Sequence, residues 1–486
     1  MTPRTPRPWP RALRAPVSWL LLGALALYLP FALWRHQHLL SGACDLGIFD
    51  QAVRGWAFHG WPEVPIKLPG MHHFGDHFMP IFAVLAPLYW LFDTPTTLVV
   101  AQPVLLVASA LPVYLALRRL VGRTPALLLT AGYLLSYAVQ GAVRFPVHEV
   151  MFAAPLLAWA VERALAGRWN WAIALVCATL LVKEDYGVVV AAFGVWALLA
   201  RRWRQGAFAL VAGVTAFVLV IGLVIPHYAG AKGFSYYHYS SLGGARSLGE
   251  MASWALTHPL DTVAALFDRP LKVYTWLLLL VPFGLCAAAS PISLLVLPVM
   301  LERMLNDREL LWSFTLYYDT PLLPVVLVAN VHGFCRLLDW WRARRGRPSP
   351  LPVAGRAATV FRWYAATALA ITLVIGYWLP VGTWLRGAMA RPSDTYQATA
   401  RAALAQVPPG VAVRASDRFA PWLTPTNRVT LIGSTVEQGD WVILDVARPG
   451  CPVPEDEPGR PLVADLLRQG FTVRWARGDV MVLARG

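Results

Sequence analysis

The chain has 486 residues, of which 57% are hydrophobic and only 14% charged, and its mean hydropathy is +0.51. A soluble domain carries about 25% charged residues, so the composition excludes an ordinary soluble globular protein and predicts a polytopic membrane protein. The net charge of +15 does not imply a nucleic-acid partner, because the arginines cluster between apolar runs, as they do in cytoplasmic loops facing anionic lipid.

Arg4, Arg7, Arg11 and Arg14 precede the first apolar run, about 16 to 34, and place the amino end in the cytoplasm. A cleaved signal peptide is the alternative reading of those flanks. The stretch Leu-Ser-Gly-Ala-Cys ending at Cys44 makes a poor lipoprotein site, since Arg35, His36 and His38 separate it from the apolar run and Ser41 stands where an aliphatic residue is wanted. Further runs of near-bilayer length follow at about 95 to 117, 124 to 143, 150 to 165, 170 to 183, 186 to 200, 206 to 226, 271 to 289, 291 to 305, 318 to 337 and 363 to 385, making about eleven spans. Three arginine groups, at 118 to 123, 201 to 204 and 342 to 362, then fall on the cytoplasmic side together with the amino end.

This register puts the connections 35 to 94, 144 to 149, 183 to 186, 227 to 270 and 306 to 317 outside, with a short interfacial or re-entrant helix at 80 to 92. Residues 1–389 are expected to form the membrane domain. From about 390 onward the pattern changes to period-two segments at 411 to 415, 428 to 432, 441 to 445, 471 to 475 and 479 to 483, with a helical stretch at 461 to 469. These predict a small α/β domain, 390–486, which an odd number of spans leaves extracytoplasmic. The five cysteines are scattered, and their spacing predicts neither a disulfide framework nor a zinc site.

The outer connections hold most of the acids and histidines. The first opens with Asp45-Leu-Gly-Ile-Phe-Asp50. On a helix Asp45 and Phe49 share a face while Asp50 points elsewhere, so the two carboxylates need not act together; a solvated acid capping a short helix is the alternative. Further on, His72-His73-Phe-Gly-Asp76-His77 has the side chains to hold a divalent cation or, when protonated, a phosphate, with a solvated interfacial loop as the alternative. Arg144-Phe-Pro-Val-His148-Glu149 and Lys183-Glu184-Asp185 lie at helix ends beside the bilayer. Ion pairs such as Arg144 with Glu149 would compensate the charge there, but two consecutive acids between apolar spans point to a polar cavity open to the outside. The loop containing His227, Tyr228, Lys232, Tyr236, Tyr237, His238, Tyr239 and Arg246 suits a sugar face or a phosphate headgroup, and equally an aromatic belt at the lipid interface. Tyr317-Tyr318-Asp319 carries the same ambiguity.

Taken in order, Asp45-Leu-Gly-Ile-Phe-Asp50-Gln, the histidine loop at 72 to 77, Phe145-Pro-Val-His148-Glu149, Leu-Val-Lys183-Glu184-Asp185, Tyr317-Tyr318-Asp-Thr-Pro321-Leu-Leu-Pro324 and the run Val407 to Asp417 with Trp441-Val-Ile-Leu-Asp445 resemble the DUF2079 family of bacterial and archaeal membrane proteins. That family is grouped with the GT-C glycosyltransferases, which include protein mannosyltransferases and arabinosyltransferases. The resemblance implies a GT-C-like helical membrane fold, a polyprenyl-phosphate-sugar donor, and an essential Asp in the first outer loop, for which Asp45 is the matching position and Asp50 the second. Many relatives have a paired Asp-Asp or Asp-Glu there, whereas this chain reads Asp45-Leu46; Glu184-Asp185 is then the source of a second acid, and a divalent cation stays an open possibility.

The expectation is an inverting transferase at the outer face of a prokaryotic plasma membrane, acting on a glycan, lipid or protein acceptor. Asp45 would be the general base, with Glu184 and Asp185 as further catalytic acids. Asp50, His73, Asp76, His77, Arg144, His148, Glu149, Lys183, Lys232 and Arg246 would bind phosphate, sugar or acceptor. The alternatives are a secondary transporter or lipid carrier, which calls for repeat halves and broken helices near the midplane, and a non-catalytic scaffold.

Overall fold

The computed structural model describes residues 16–230, 239–245, 247–345, 356–433, 439–451 and 460–485. Lys232 and Arg246, and the arginines before Pro16, lie outside these residues. Among those described, five stretches are helical, long and apolar enough to cross a membrane: Pro16–Gln37, Thr96–Val121, Arg123–Arg144, Trp203–Ala229 and Ala358–Trp378. Shorter apolar helical pieces lie at Pro80–Tyr89, Trp169–Leu181, Tyr186–Leu199 and Pro270–Phe283. The segment read as one span at 291 to 305 is two pieces, a 3-10 turn Pro291–Leu295 and a helix Leu297–Leu305, broken where Pro291 and Pro298 remove backbone donors.

Packing sorts these elements. Leu323–Ala343 is central, with every residue from Leu323 to Val331 buried. Trp203–Leu219 lies at the rim, and Trp203, Phe208, Val211, Val214 and Val218 stand exposed along it. An outward apolar stripe of that size is unfavourable in water and matches a hydrocarbon solvent.

The carboxyl-terminal part is a mixed five-stranded sheet built from β1 (Ala412–Ala415), β2 (Arg428–Leu431), β3 (Trp441–Asp445), β4 (Phe471–Arg477) and β5 (Val480–Arg485) in the order β2-β1-β3-β5-β4. The β2-β1-β3 half is parallel and the β3-β5-β4 half antiparallel. One sheet face is covered by Arg460–Arg468 through Leu466. The other packs Val413, Ala415, Val429 and Ile443 with Ala400 and Ala403 of helix Asp394–Leu404, and also with Ala43, Ile48, Ala52, Val64 and Ile66 of the long connection 35 to 94. The connection 35 to 94 and the sheet therefore share one apolar core. Within it Gln51 donates from Nε2 to the Val429 carbonyl at 2.9 Å and accepts from the Ile66 N–H at 3.0 Å.

The expectation of no disulfide is corrected here. Cys44 and Cys451 are bonded, with their Cα atoms 6.3 Å apart across 407 residues of sequence. Local spacing carries no sign of this pair because the docking of the sheet onto the connection 35 to 94 creates it.

Candidate functional site

A cavity of about 510 Å³ opens where several chain segments meet. The turn Ala43–Gly47, near the start of the connection 35 to 94, brings Asp45 into it. His148 and Glu149 arrive at the amino end of helix Val150–Leu165, and Lys183, Glu184 and Asp185 at the amino end of helix Tyr186–Leu199. Glu149 and Asp185 occupy the N-cap positions of those helices, where the exposed N–H groups favour a negative charge. Helix Leu297–Leu305 contributes Glu302 and Arg303, and Tyr317 and Tyr318 precede the central helix.

Asp45 Oδ1 lies 3.0 Å from His148 Nε2, and the other ring nitrogen is 3.6 Å from Glu149 Oε2. The imidazole is stacked on Tyr317, with ring centroids 3.4 Å apart. Burial alone would pull His148 down, but Asp45 and Glu149 outweigh it and hold the ring above its usual value, on the protonated side. Glu149 is pushed up by burial and pulled down more strongly by His148 and Lys183, to about 2. Asp45 keeps 28% of its side-chain surface exposed, against 7% for each of His148 and Glu149, so of these three Asp45 is the one within reach of a substrate.

On another wall Lys183 Nζ meets Asp185 Oδ2 at 3.0 Å, and His77 Nδ1 meets Glu184 Oε1 at 2.6 Å while the Phe78 N–H donates to Glu184 Oε2 at 3.0 Å. Burial pushes Glu184 up, but His77 and Lys183 pull it below the usual carboxylate range. Burial also lifts Asp185, with Glu184 adding to the rise and Lys183 opposing it. Lys67 pairs with Asp76 at 2.8 Å, and His73 is buried and driven down to about 4, so it is neutral at ordinary pH.

Thus Asp45, Asp76, His73, His77, His148, Glu149, Lys183, Glu184 and Asp185 all border one cavity. Asp50 and Arg144 do not. Asp50 is fully buried behind the wall, accepting from the Tyr89 hydroxyl at 2.7 Å and pairing with Arg54, so it is not a solvated acid either. Arg144 is exposed at the end of helix Tyr137–Arg144, and the partner of Glu149 is His148 instead.

The sequence reading missed Lys67, Glu302, Arg303, Asn306 and Arg308 on the cavity wall. A signal was present, because Glu302-Arg303 interrupts an otherwise apolar run, and a charged pair inside such a run marks a site by default. Arg303 is 2% exposed and bonds Asp319 Oδ1 at 2.6 Å, while Tyr137 donates to Asp319 Oδ2 at 2.9 Å.

The histidine loop does not assemble cation ligands. His77 is committed to Glu184 and Asp76 to Lys67, and among the described residues no group of three His, Cys, Asp or Glu side chains converges as a metal site.

The family model described as predicted membrane protein (DUF2079) matches residues 35–473. No curated protein matches the sequence. Among solved structures, ArnT from Cupriavidus metallidurans in the apo state is similar, with a TM-score of 0.54 and 14% identity over 97% of this chain and 98% of that one. ArnT from the same organism bound to undecaprenyl phosphate gives a TM-score of 0.52 and 13% identity over the same shares. At such identities the likeness shows the fold, and it is the GT-C-like helical membrane architecture with a small carboxyl-terminal sheet.

Proposed function

The chain belongs to the DUF2079 family, and from that premise we propose that it is a membrane glycosyltransferase that takes a sugar from a polyprenyl-phosphate donor and passes it to a hydroxyl of a cell-envelope acceptor. The observation that carries the reading is that a partly exposed carboxylate, Asp45, and several cationic side chains line one cavity: Lys67, Lys183, Arg303 and Arg308 all border it. Binding of undecaprenyl phosphate by ArnT, a protein of the same fold, supports a lipid-phosphate donor here.

In this reaction the acceptor oxygen attacks the anomeric carbon from the face opposite the phosphate. The carbon–oxygen bond to the polyprenyl phosphate breaks, and the acceptor proton passes to Asp45. His148, set between Asp45 and Glu149, orients the Asp45 carboxylate toward the cavity. Lys183 and the neighbouring arginines stabilise the charge that builds on the departing phosphate. Glu184 and Asp185 shape the opposite wall, where sugar hydroxyls find acceptors. Phosphate binding moves from His73, which is buried and neutral, to the lysine and arginine side chains.

The cavity faces the outer side of the plasma membrane in this reading. The Cys44–Cys451 bond on its rim supports that orientation, because disulfides persist in oxidising compartments.

The test is deletion of the gene with profiling of envelope glycans and lipid-linked sugars, followed by complementation. Wild-type protein restores the lost product, whereas Asp45→Asn inserts normally and transfers about 10²- to 10⁴-fold more slowly, the usual loss for a general base. Full transfer by Asp45→Asn removes that residue from the role and moves it to Glu184 or Asp185.

A further inference from the structure

The carboxyl-terminal sheet holds no catalytic constellation, yet a side chain just past β1, Asp417, holds the backbone of the turn that carries Asp45. In an open α/β sheet the crevice beyond the carboxyl ends of parallel strands, where the chain leaves in opposite directions from neighbouring strands, is the usual place for a ligand. Here that crevice lies between β1 and β3, since β1 leads to β2 on one side and β3 pairs on the other. It is filled by the start of the connection 35 to 94.

Three independent contacts make the fit. Asp417, two residues past β1, accepts at Oδ1 from the N–H groups of Ala43 at 2.8 Å and Cys44 at 3.2 Å, and its own carbonyl accepts from Ala43 at 3.0 Å. These N–H groups open the turn Ala43–Gly47 and have no partner earlier in the helix, so the carboxylate acts as an N-cap supplied from another domain. Cys451, past β3, is bonded to Cys44. Finally, the carboxylate sits in a slot between two glycines. A Cβ at Gly42 would stand 2.8 Å from Asp417 Cγ, and one at Gly450, where φ is +73°, would stand 2.6 Å from Asp417 Cβ. Only glycine lets both backbones come this close.

Resting on the reading of Asp45 as base, we propose that Asp417 is a positioning residue: it caps the turn that carries Asp45 and thereby holds that carboxylate at the reacting hydroxyl. Asp45 follows the capped amides Ala43 and Cys44 directly, so any unwinding of the turn displaces it first. A displacement of about 1 Å in a reacting group is enough to cost about 10²-fold in rate. The carboxyl-terminal domain is thus part of the catalytic apparatus although it touches no substrate.

The test uses the full-length protein in two readouts. Complementation of the deletion strain reports transfer, and hydrogen exchange on purified protein in lipid discs reports the amides of Ala43 and Cys44. Asp417→Ala is expected to speed exchange at both amides and to lower transfer about ten-fold or more. Asp417→Asn, which keeps a side-chain oxygen as acceptor, restores both. Gly42→Ala removes no hydrogen-bonding group but crowds the carboxylate; it is expected to reproduce the Asp417→Ala defect, and it decides the matter if Asp417→Ala does not accumulate. The proposal is overturned by unchanged exchange in Asp417→Ala, by full transfer in a variant whose amides exchange faster, or by Asp417→Asn being no better than Ala. Full transfer by Asp45→Asn is a separate result, and it refutes the choice of base rather than the capped turn.

Discussion

Replacing Glu184 by Gln probes an ion pair on the cavity wall whose carboxylate is almost fully enclosed. Glu184 is 4% exposed and accepts from His77 at 2.6 Å and from the Phe78 N–H at 3.0 Å. The amide keeps one oxygen for one of these donors and loses the charge. Stranding a buried ion costs about 3–5 kcal/mol, but His77 retains 23% side-chain exposure and can release its proton. The loss is therefore closer to that of one charge-assisted hydrogen bond, about 1.5–3 kcal/mol. Its pH dependence has a definite sign. His77 is held above its ordinary value of about 6.5 by Glu184, against the downward pull of burial. Its contribution is then complete below about pH 6.5 and disappears as pH rises through the raised value. Glu184 is held below its ordinary value of about 4.3, so its contribution is complete above that pH and disappears as pH falls through the lowered value. The pair contributes fully between about pH 4.5 and 6.5, and the destabilisation by Glu184→Gln should be largest there and shrink by pH 9. Denaturant unfolding of purified protein followed by tryptophan fluorescence at pH 5.5, 7.5 and 9 measures it. An equal loss at pH 5.5 and pH 9 would refute the ion-pair account.

Asp50→Asn should lower stability by about 1–3 kcal/mol, because it weakens the bonds from Tyr89 and Arg54 inside the wall, while transfer per folded molecule falls far less than in Asp45→Asn; urea unfolding alongside the complementation assay separates the two effects. Arg303→Met leaves Asp319 buried without its cation, so it should destabilise by about 3–5 kcal/mol, and adding Asp319→Leu should recover most of that, as read from paired unfolding curves. Non-reducing peptide mapping should find Cys44 joined to Cys451, with Cys177, Cys286 and Cys335 alkylated after unfolding. A reporter fused after Gly486 should be active only outside the cytoplasm; activity inside would remove the cavity from the compartment assigned to it.

The sequence by itself determined the elements that depend on neighbours in the chain. Apolar runs bounded by arginine clusters placed the long helices, because the cost of an unpaired backbone group in hydrocarbon is met within one segment. Period-two patterns placed β1 to β5 to within two residues at each end, and the helical stretch at 461 to 469 appears as Arg460–Arg468. The same local logic located the charged connections in which most of the cavity residues lie. Where local logic assumed continuity it failed, as at 291 to 305, where the segment is two pieces meeting just before Pro298 and Glu302 and Arg303 of the second piece border the cavity.

Only the tertiary structure decided which charges meet. His77 and Glu184 are 107 residues apart in sequence, Tyr137 and Asp319 are 182 apart, and Cys44 and Cys451 are 407 apart. Asp45 and Asp50 are near neighbours in sequence, yet one borders the cavity and the other is sealed behind it, because the turn Ala43–Gly47 gives way at Ile48 to a regular helix that aims Asp50 at Tyr89. The physical reason is one of range. Hydropathy and backbone hydrogen bonding act within a few residues, whereas the strength of an ion pair or a cap depends on burial and distance, which exist only once the helices and the sheet have packed.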